Sequence, residues 1–507
     1  WTCRLGPPAS PRRRRGCPCR RAGARMLAAL WCLGLHSPPS PRSYIRARAR
    51  QRRTLPACSA DALAREFDDL WVQSGLFEGA TVIIMRQEGV VYRHHFGTHR
   101  PDSVVCVHSM TKAITSIACL QCAERGLLSL DDAVGDYLPS FRQGEYGKIT
   151  LRMCLGHTSG LDYHVGVVRP TVTWDSAQWR EALRYVTACV TLDLRGHVDS
   201  CTARSPLRFA PGTQYNYADG ANVAAAVVEV VSQQGFADYV REHISAPLGM
   251  EDTTFVTSRA QRLRMPRLHW DVSDLDFPGP TPLRGLLRAL GLRRLRLPSW
   301  LFDWHLRPRQ ARGDVGLKST ADDWCRLLQA LLADGALADG AQGGGAQGGG
   351  ARGGGARLLC ASSVDELCRS VLPHGADLTP PYALEAAPTS ATPRFGVGDD
   401  GLGAVYDGTH RVANSFQGQG GALGLNVVLD AEAAGLHPAA TGTCWWFGVG
   451  STFFSFNREQ NLGCVVLGQN YIAAKRQGAL AWVINAAHEL DERGELSVSC
   501  QMNDHAP

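Results

Sequence analysis

Strand-like runs stand near both ends of this chain and helical periodicity fills the space between them, a distribution that constrains the fold more than any other feature. Thr81-Val-Ile-Ile-Met85, the turn Gln87-Glu-Gly89 and Val90-Val-Tyr-Arg-His-His-Phe96 read as one β-hairpin. Ser451-Thr-Phe-Phe-Ser-Phe456, the turn Asn457-Arg-Glu-Gln-Asn461 and Leu462-Gly-Cys-Val-Val-Leu-Gly468 read as another. A lone hairpin is marginal in water, so the two are expected to join. The expected class is α/β (α+β): an antiparallel sheet flanked by helices and built from both chain ends, with a mostly helical lobe inserted in the middle. A cleft between lobe and sheet is a natural ligand site.

Helix signals agree with this plan. Ser59 to Trp71 opens with a capping residue and spaces Leu63, Phe67, Leu70 and Trp71 along one face. Ser109 to Arg125 is helical in pattern and stops at Gly126, whereas residues 131–141 read as a loop around Pro139. Ala221–Ser232, Phe236–Ile244, Thr320–Leu332 and the segment holding Leu480, Trp482, Val483, Ile484 and Ala487 are further helices. Residues 264–312 form a lid-like insertion rich in Leu, Arg and Pro, and within it 283–296 has the pattern of a basic surface helix able to touch lipid. The repeated Ala-Gln-Gly-Gly-Gly of 339–356 is a flexible low-complexity insert. The body is therefore expected over 57–492, between a tail at 1–56 and a short one at 493–507.

The net charge of +6 does not mark a nucleic-acid binder, because residues 1–53 alone carry fourteen Arg and no Asp or Glu. The basicity belongs to the tail, and the body is net acidic. Such a tail is either disordered or a targeting segment, its acid-free, Arg-rich composition fitting an organelle transit peptide. Seventeen scattered Cys lack zinc-site spacing and favour a reducing compartment, cytoplasmic or organellar, over secretion. No phosphate loop or metal constellation is present, so no cofactor is expected. No later run approaches the roughly 20 apolar residues of a membrane span. Oligomeric state is left open.

Only four Lys stand against forty-nine Arg, which makes each Lys worth examining. Ser109-Met-Thr-Lys112 would put an amine one helical turn from a hydroxyl, on the same face. A Ser hydroxyl is a weak nucleophile until a base takes its proton, and an amine serves as that base only where its surroundings disfavour the ammonium. Taken alone, the tetrapeptide describes equally a helix cap followed by a surface Lys. No Gly-x-Ser-x-Gly elbow occurs anywhere.

The wider context changes that balance. Val107-His-Ser-Met-Thr-Lys-Ala-Ile-Thr-Ser116, Glu124-Arg-Gly-Leu-Leu-Ser-Leu-Asp-Asp-Ala-Val134, Leu155-Gly-His-Thr-Ser-Gly-Leu161, Phe209-Ala-Pro-Gly-Thr-Gln-Tyr-Asn-Tyr217, Pro247-Leu-Gly-Met250 and Gly316-Leu-Lys-Ser-Thr-Ala-Asp-Asp323 follow in order. Together they resemble the class C β-lactamase superfamily, which includes penicillin-binding peptidases, family VIII carboxylesterases and some acyltransferases. The resemblance implies a serine β-lactamase-like fold, with Ser109 as acylated nucleophile, Lys112 as base or relay, and Tyr217 as the proton-exchanging phenol. It also implies an oxyanion hole from the backbone N–H groups of Ser109 and the Gly448–Gly450 edge, Val449 among them. His157 corresponds to a structural loop.

Two departures stand out. Asp219 replaces an Asn that the family places beside the substrate amide, and Trp446-Phe447-Gly448 replaces Lys-Thr-Gly. Loss of that Lys removes the cation that would hold a substrate carboxylate, which favours a small or medium uncharged acyl ester as substrate. Acyl transfer, amide hydrolysis and β-lactam hydrolysis use the same site and stay open, as does a degenerate, scaffold-like member.

Overall fold

The computed structural model describes residues 60–496 except 74–76, 163–186, 189–190, 205, 272–289, 291–293, 299–309, 339–355, 373–417 and 472–475. All of them belong to one of the chain's two units, Arg48–Pro507. The expected tail at 1–56, most of the 264–312 insertion, nearly all of the 339–356 insert and most of the 493–507 tail lie outside the described residues.

Helix α1 (Ala60–Phe67), continued by a π turn to Val72, precedes the hairpin of β1 (Gly79–Arg86) and β2 (Gly89–Gly97). Strand β3 (Val105–Cys106) leads into α2 (Thr111–Glu124). The helical middle contains α3 (Val134–Tyr137), α4 (Leu151–Leu155), α5 (Leu194–Ser200), α6 (Gly220–Ser232), α7 (Phe236–Val240) and α8 (Arg259–Leu263). Strands β4 (Arg267–Asp271), β5 (Arg294–Pro298) and β6 (Lys318–Ser319) are followed by α9 (Ala321–Leu332) and α10 (Ala361–Cys368). Strands β7 (Gln419–Gly421), β8 (Asn426–Val428), β9 (Cys444–Gly448), β10 (Thr452–Asn457), β11 (Leu462–Gly468) and β12 (Asn470–Tyr471) lead to α11 (Arg476–Glu492).

The two hairpins do join. The seven-stranded sheet runs β2-β1-β11-β10-β9-β8-β7, and the seam between chain ends is the antiparallel β1–β11 pair, with Val82 opposite Val466 and Ile84 opposite Cys464. Because side chains alternate across a pleated sheet, each strand feeds two cores. Phe67 of α1 stacks on Phe96 of β2 at 4.6 Å and meets Trp482 of α11 at 5.9 Å, on one face. Ile83, Met85, Phe454 and Phe456 point to the other, into the core shared with α2 and α9. Helix α9 starts where Thr320 Oγ1 accepts from the Asp323 N–H at 3.2 Å, an N-cap.

Helix α2 is surrounded: every residue from Thr111 to Cys122 is buried. A helix packed on all sides needs no single apolar stripe. Helix α6 crosses beside it, and Gly220 lets α6 start directly against α4, since a Cβ there would lie 2.2 Å from the Cys154 carbonyl oxygen. That close approach fixes the loop carrying Tyr217.

Two expectations are corrected. Residues 131–141 are not a plain loop, because they fold into α3 and a 3-10 turn at Pro139–Phe141. A Pro at the first position of a turn initiates it rather than breaking it. Residues 294–296 are not part of a surface helix, because Arg294-Leu-Arg-Leu alternates with period two and forms β5, with Leu297 opposite Leu268 of β4. Residues 283–289 and 291–293 lie outside the described residues. Among the described residues, no helix is long and apolar enough to cross a membrane.

Trp324 of α9 is fully buried 5.3 Å from the Phe454 ring, at the joint between helix layer and sheet. Trp324→Ala is expected to cost about 3–5 kcal/mol of stability. Urea unfolding read by circular dichroism checks this, and a loss under about 1 kcal/mol would contradict the packing described.

Candidate active site

Ser109 sits in the 3-10 turn His108–Met110 that runs directly into α2. The turn is held from below: Thr111 Oγ1 donates to the His108 carbonyl at 2.6 Å and accepts from the Leu317 N–H at 3.3 Å. His108 adopts a left-handed backbone, φ +49°, which a non-glycine residue takes only where its surroundings demand it. Lys112, one turn along, is fully buried. Its Nζ lies 3.3 Å from Ser109 Oγ, donates to the Asp314 carbonyl at 2.9 Å and sits 4.7 Å from the centre of the Tyr217 ring. The Tyr217 hydroxyl donates to Ser109 Oγ at 2.8 Å. Three residues singled out from sequence, up to 108 positions apart, thus meet at one oxygen.

A buried amine needs polar partners in place of water, and here a carbonyl, a hydroxyl and an aromatic face supply them. The other described lysines differ. Lys148 pairs with Glu145 in solvent, and Lys318, though buried, donates to the Phe255 carbonyl at 2.8 Å within the β3–β6 support.

His157 plays a larger part than a loop residue. Its loop carries the Tyr217 loop through main-chain bonds: Asn216 N–H to the His157 carbonyl at 2.8 Å, and Gly212 N–H to the Thr158 carbonyl at 2.8 Å. The imidazole itself enters the cluster, 4.7 Å from the Tyr217 ring and 6.2 Å from Trp446 at an interplanar angle of 17°. Its Nδ1 accepts from the Ala218 N–H at 3.3 Å, so the neutral ring carries its hydrogen on Nε2. Burial, and then the positive charge of Lys112, push its pKa down to about 3. It is an uncharged wall at neutral pH. Its place beside a Gly in a polar turn gave no sign of this in the sequence, nor did anything mark the Asp314 carbonyl, since any residue supplies one.

The sheet edge completes the cluster. Trp446 of β9 faces the core, its ring 5.7 Å from that of Tyr217. The pleat turns Phe447 to the other face, where it stacks on Trp445 at 6.1 Å, away from Tyr217. Gly448 abuts the residues just before Ser109: a Cβ there would come 2.4 Å from the Val107 carbonyl oxygen, to which Thr452 Oγ1 donates at 3.1 Å. Val449, half-buried, follows in the β9–β10 turn. Asp219 also departs from expectation. Rather than lining the cleft, its carboxylate is fully buried among Thr202, Asn222 and His197.

The result is a serine hydroxyl bracketed by a buried amine and a phenol, on a turn braced by a sheet edge. The sequence pattern of the β-lactamase family matches residues 60–488. The chain belongs to the β-lactamase family. Within that family it is 30% identical over 273 residues to esterase EstB of Burkholderia gladioli, covering 50% of this chain and 66% of EstB. It is 32% identical over 253 residues to the lovastatin esterase of Penicillium rubens, covering 46% of this chain and 56% of that one. These matches thus span about half to two thirds of the relatives' length. In fold, this β-lactamase-family protein resembles the solved simvastatin synthase LovD of Aspergillus terreus, with a TM-score of 0.59 and 20% identity over 86% of this chain and 99% of that one.

Three buried imidazoles give the fold an acid limit. Burial pushes His99 and His157 down to about 3 and His488 to about 4, with His95, Lys112 and His437 respectively adding repulsion. Each takes up a proton in the unfolded chain below about pH 6.5 but stays neutral in the folded one until far lower. Stability is therefore full above about pH 6.5 and falls as pH drops, by up to about 1.4 kcal/mol per unit for each. The thermal midpoint is expected to fall between pH 6.5 and 5, above the usual carboxylate range. A midpoint constant across that interval would contradict the neutral, buried state of these rings.

Proposed function

We propose that this protein is a serine hydrolase working through an acyl-enzyme on Ser109, with small or medium uncharged acyl esters as substrates. The observation that carries the reading is the convergence of Lys112 Nζ and Tyr217 Oη on Ser109 Oγ, at 3.3 and 2.8 Å. Lys112, as the neutral amine, takes the hydroxyl proton as Ser109 Oγ attacks the ester carbonyl, and Tyr217 serves as relay, giving up its own hydroxyl proton and taking the one Lys112 holds. The tetrahedral oxyanion receives the backbone N–H groups of Ser109 and Val449. Gly448 supports this role, because the close approach of the sheet edge to Val107 brings that turn against the nucleophile's own. The proton passes to the leaving alkoxide, and water then repeats the sequence in reverse to free Ser109.

Preference for an ester rests on Trp446. Where a β-lactamase carries a lysine for the substrate carboxylate, this strand sets an indole against Tyr217, and an apolar wall suits an uncharged acyl group. The two esterase relatives point the same way. Acyl transfer would use the same intermediate with an alcohol in place of water.

Purified protein is expected to hydrolyse 4-nitrophenyl butyrate, to be labelled by a fluorophosphonate at Ser109, and to turn over nitrocefin poorly. Ser109→Ala abolishes labelling, while Tyr217→Phe lowers butyrate turnover by about 10²–10⁴-fold. Labelling of the Ser109→Ala protein at the wild-type level would overturn the assignment, and rapid nitrocefin turnover would overturn the ester preference. Adding an alcohol acceptor separates hydrolysis from transfer.

A further inference from the structure

Two thiols outside the serine site face each other at the joint between α10 and the sheet. Gly420 of β7, Val427 of β8, Cys444 of β9 and Phe456 of β10 stand opposite one another in register, so they share one face. The chain leaving α10 crosses that face. Arg369 is extended, and Ser370 covers Gly420, where a Cβ would lie 2.5 Å from the serine Oγ. The Val371 N–H then donates to the Gly421 carbonyl at 2.8 Å. One turn earlier Asp365 pairs with Arg458, which follows β10 and also binds Asp334 at 2.7 Å. Between these two anchors Cys368, the last residue of α10, hydrogen-bonds Cys444.

We propose that Cys368 and Cys444 are a peroxide-reactive pair whose disulfide ties α10 to the strand bearing Trp446. The two thiols differ as such a pair requires. Cys368 is half-buried and within reach of a small oxidant, whereas Cys444 is 1% exposed. The hydrogen bond to Cys368, and then burial, hold the Cys444 thiol well above its ordinary value, so Cys444 is not the first to react.

Cys368 loses its proton and attacks one oxygen of a hydroperoxide. The O–O bond breaks, the other oxygen leaves as water or an alcohol, and Cys368 becomes a sulfenic acid. The Cys444 sulfur then attacks the Cys368 sulfur, the S–O bond breaks, and hydroxide leaves with the Cys444 proton as water. Two thiols thus lose two electrons and two protons, and the peroxide is reduced. Arg458, within electrostatic reach of both sulfurs, keeps a positive charge beside each anion formed on the way. Cys444 and Trp446 lie two residues apart on the same face of β9, so the bond fastens the strand that lines the serine site to a helix outside it.

The test is to treat folded, full-length protein with hydrogen peroxide, block remaining thiols and digest with trypsin. A cross-link is expected between peptides 358–369 and 412–458, mapped by fragmentation to Cys368 because Cys360 shares the first peptide. The thermal midpoint should rise by about 5 °C, since the bond closes a long loop in the unfolded chain, and fall back on adding dithiothreitol. Cys368→Ser should lose the cross-link and the rise, and Cys360→Ser should keep both. Sulfinic or sulfonic acid on Cys368 with Cys444 still free to be blocked overturns the proposal, as does a cross-link through Cys360 instead. A cross-link that forms only in urea-unfolded protein also overturns it. The mapping is made on the wild-type chain, so the proposal can fail even if Cys368→Ser does not fold.

Discussion

The arrangement turns on one amine kept out of water. Lys112 lies on a helix buried from Thr111 to Cys122, so its amine has no route to solvent and must find every partner inside the protein. Those partners come from distant parts of the chain: Ser109 from its own turn, Asp314 from the segment before β6, and the Tyr217 ring from the loop before α6. Burial thus does two things. It makes a single misplaced partner costly, which rigidifies the site, and it strengthens every electrostatic interaction around the serine.

The rest of the fold can be understood as holding those partners still. The β1–β11 seam closes the sheet, and the β9–β10 end of that sheet braces the turn bearing Ser109 through the Gly448 and Thr452 contacts with Val107. From the helical side, the His157 loop carries the Tyr217 loop by main-chain hydrogen bonds, while Gly220 allows α6 to begin hard against α4. In the proposed reading, Trp446 in place of a strand lysine leaves this frame intact and changes only the wall that a substrate meets. That is how a family built on one scaffold can vary its substrates: the groups around the serine stay and the lining changes.

Much of this was legible in the chain, and the parts that were not share a cause. The terminal hairpins, the helix after Ser109 and the Ser109–Lys112 spacing depend on local periodicity and are readable as such. Misreadings occurred where one pattern served two structures. Arg294-Leu-Arg-Leu satisfies a strand as well as part of a helical face, and Pro139 can open a turn as easily as end one. His157 looked like scaffolding because its loop is scaffolding, and the position of its ring depends on a left-handed backbone, φ +59°, that sequence does not display. Asp219 was placed beside a substrate by analogy with an amide, whereas the folded chain surrounds it with donors.

What the sequence determined alone is the Ser109–Lys112 spacing and the plan that joins the chain's ends, because both follow from residue type and spacing within a few turns. What only the tertiary structure decided is which groups face one another: that Phe447 turns away while Trp446 turns in, that Asp219 looks backward into the helical lobe, and that a main-chain carbonyl holds the lysine. The physical reason is that such contacts depend on the pleat of a strand and the close approach of helices carried by segments more than 200 residues apart, as with Lys112 and Asp314.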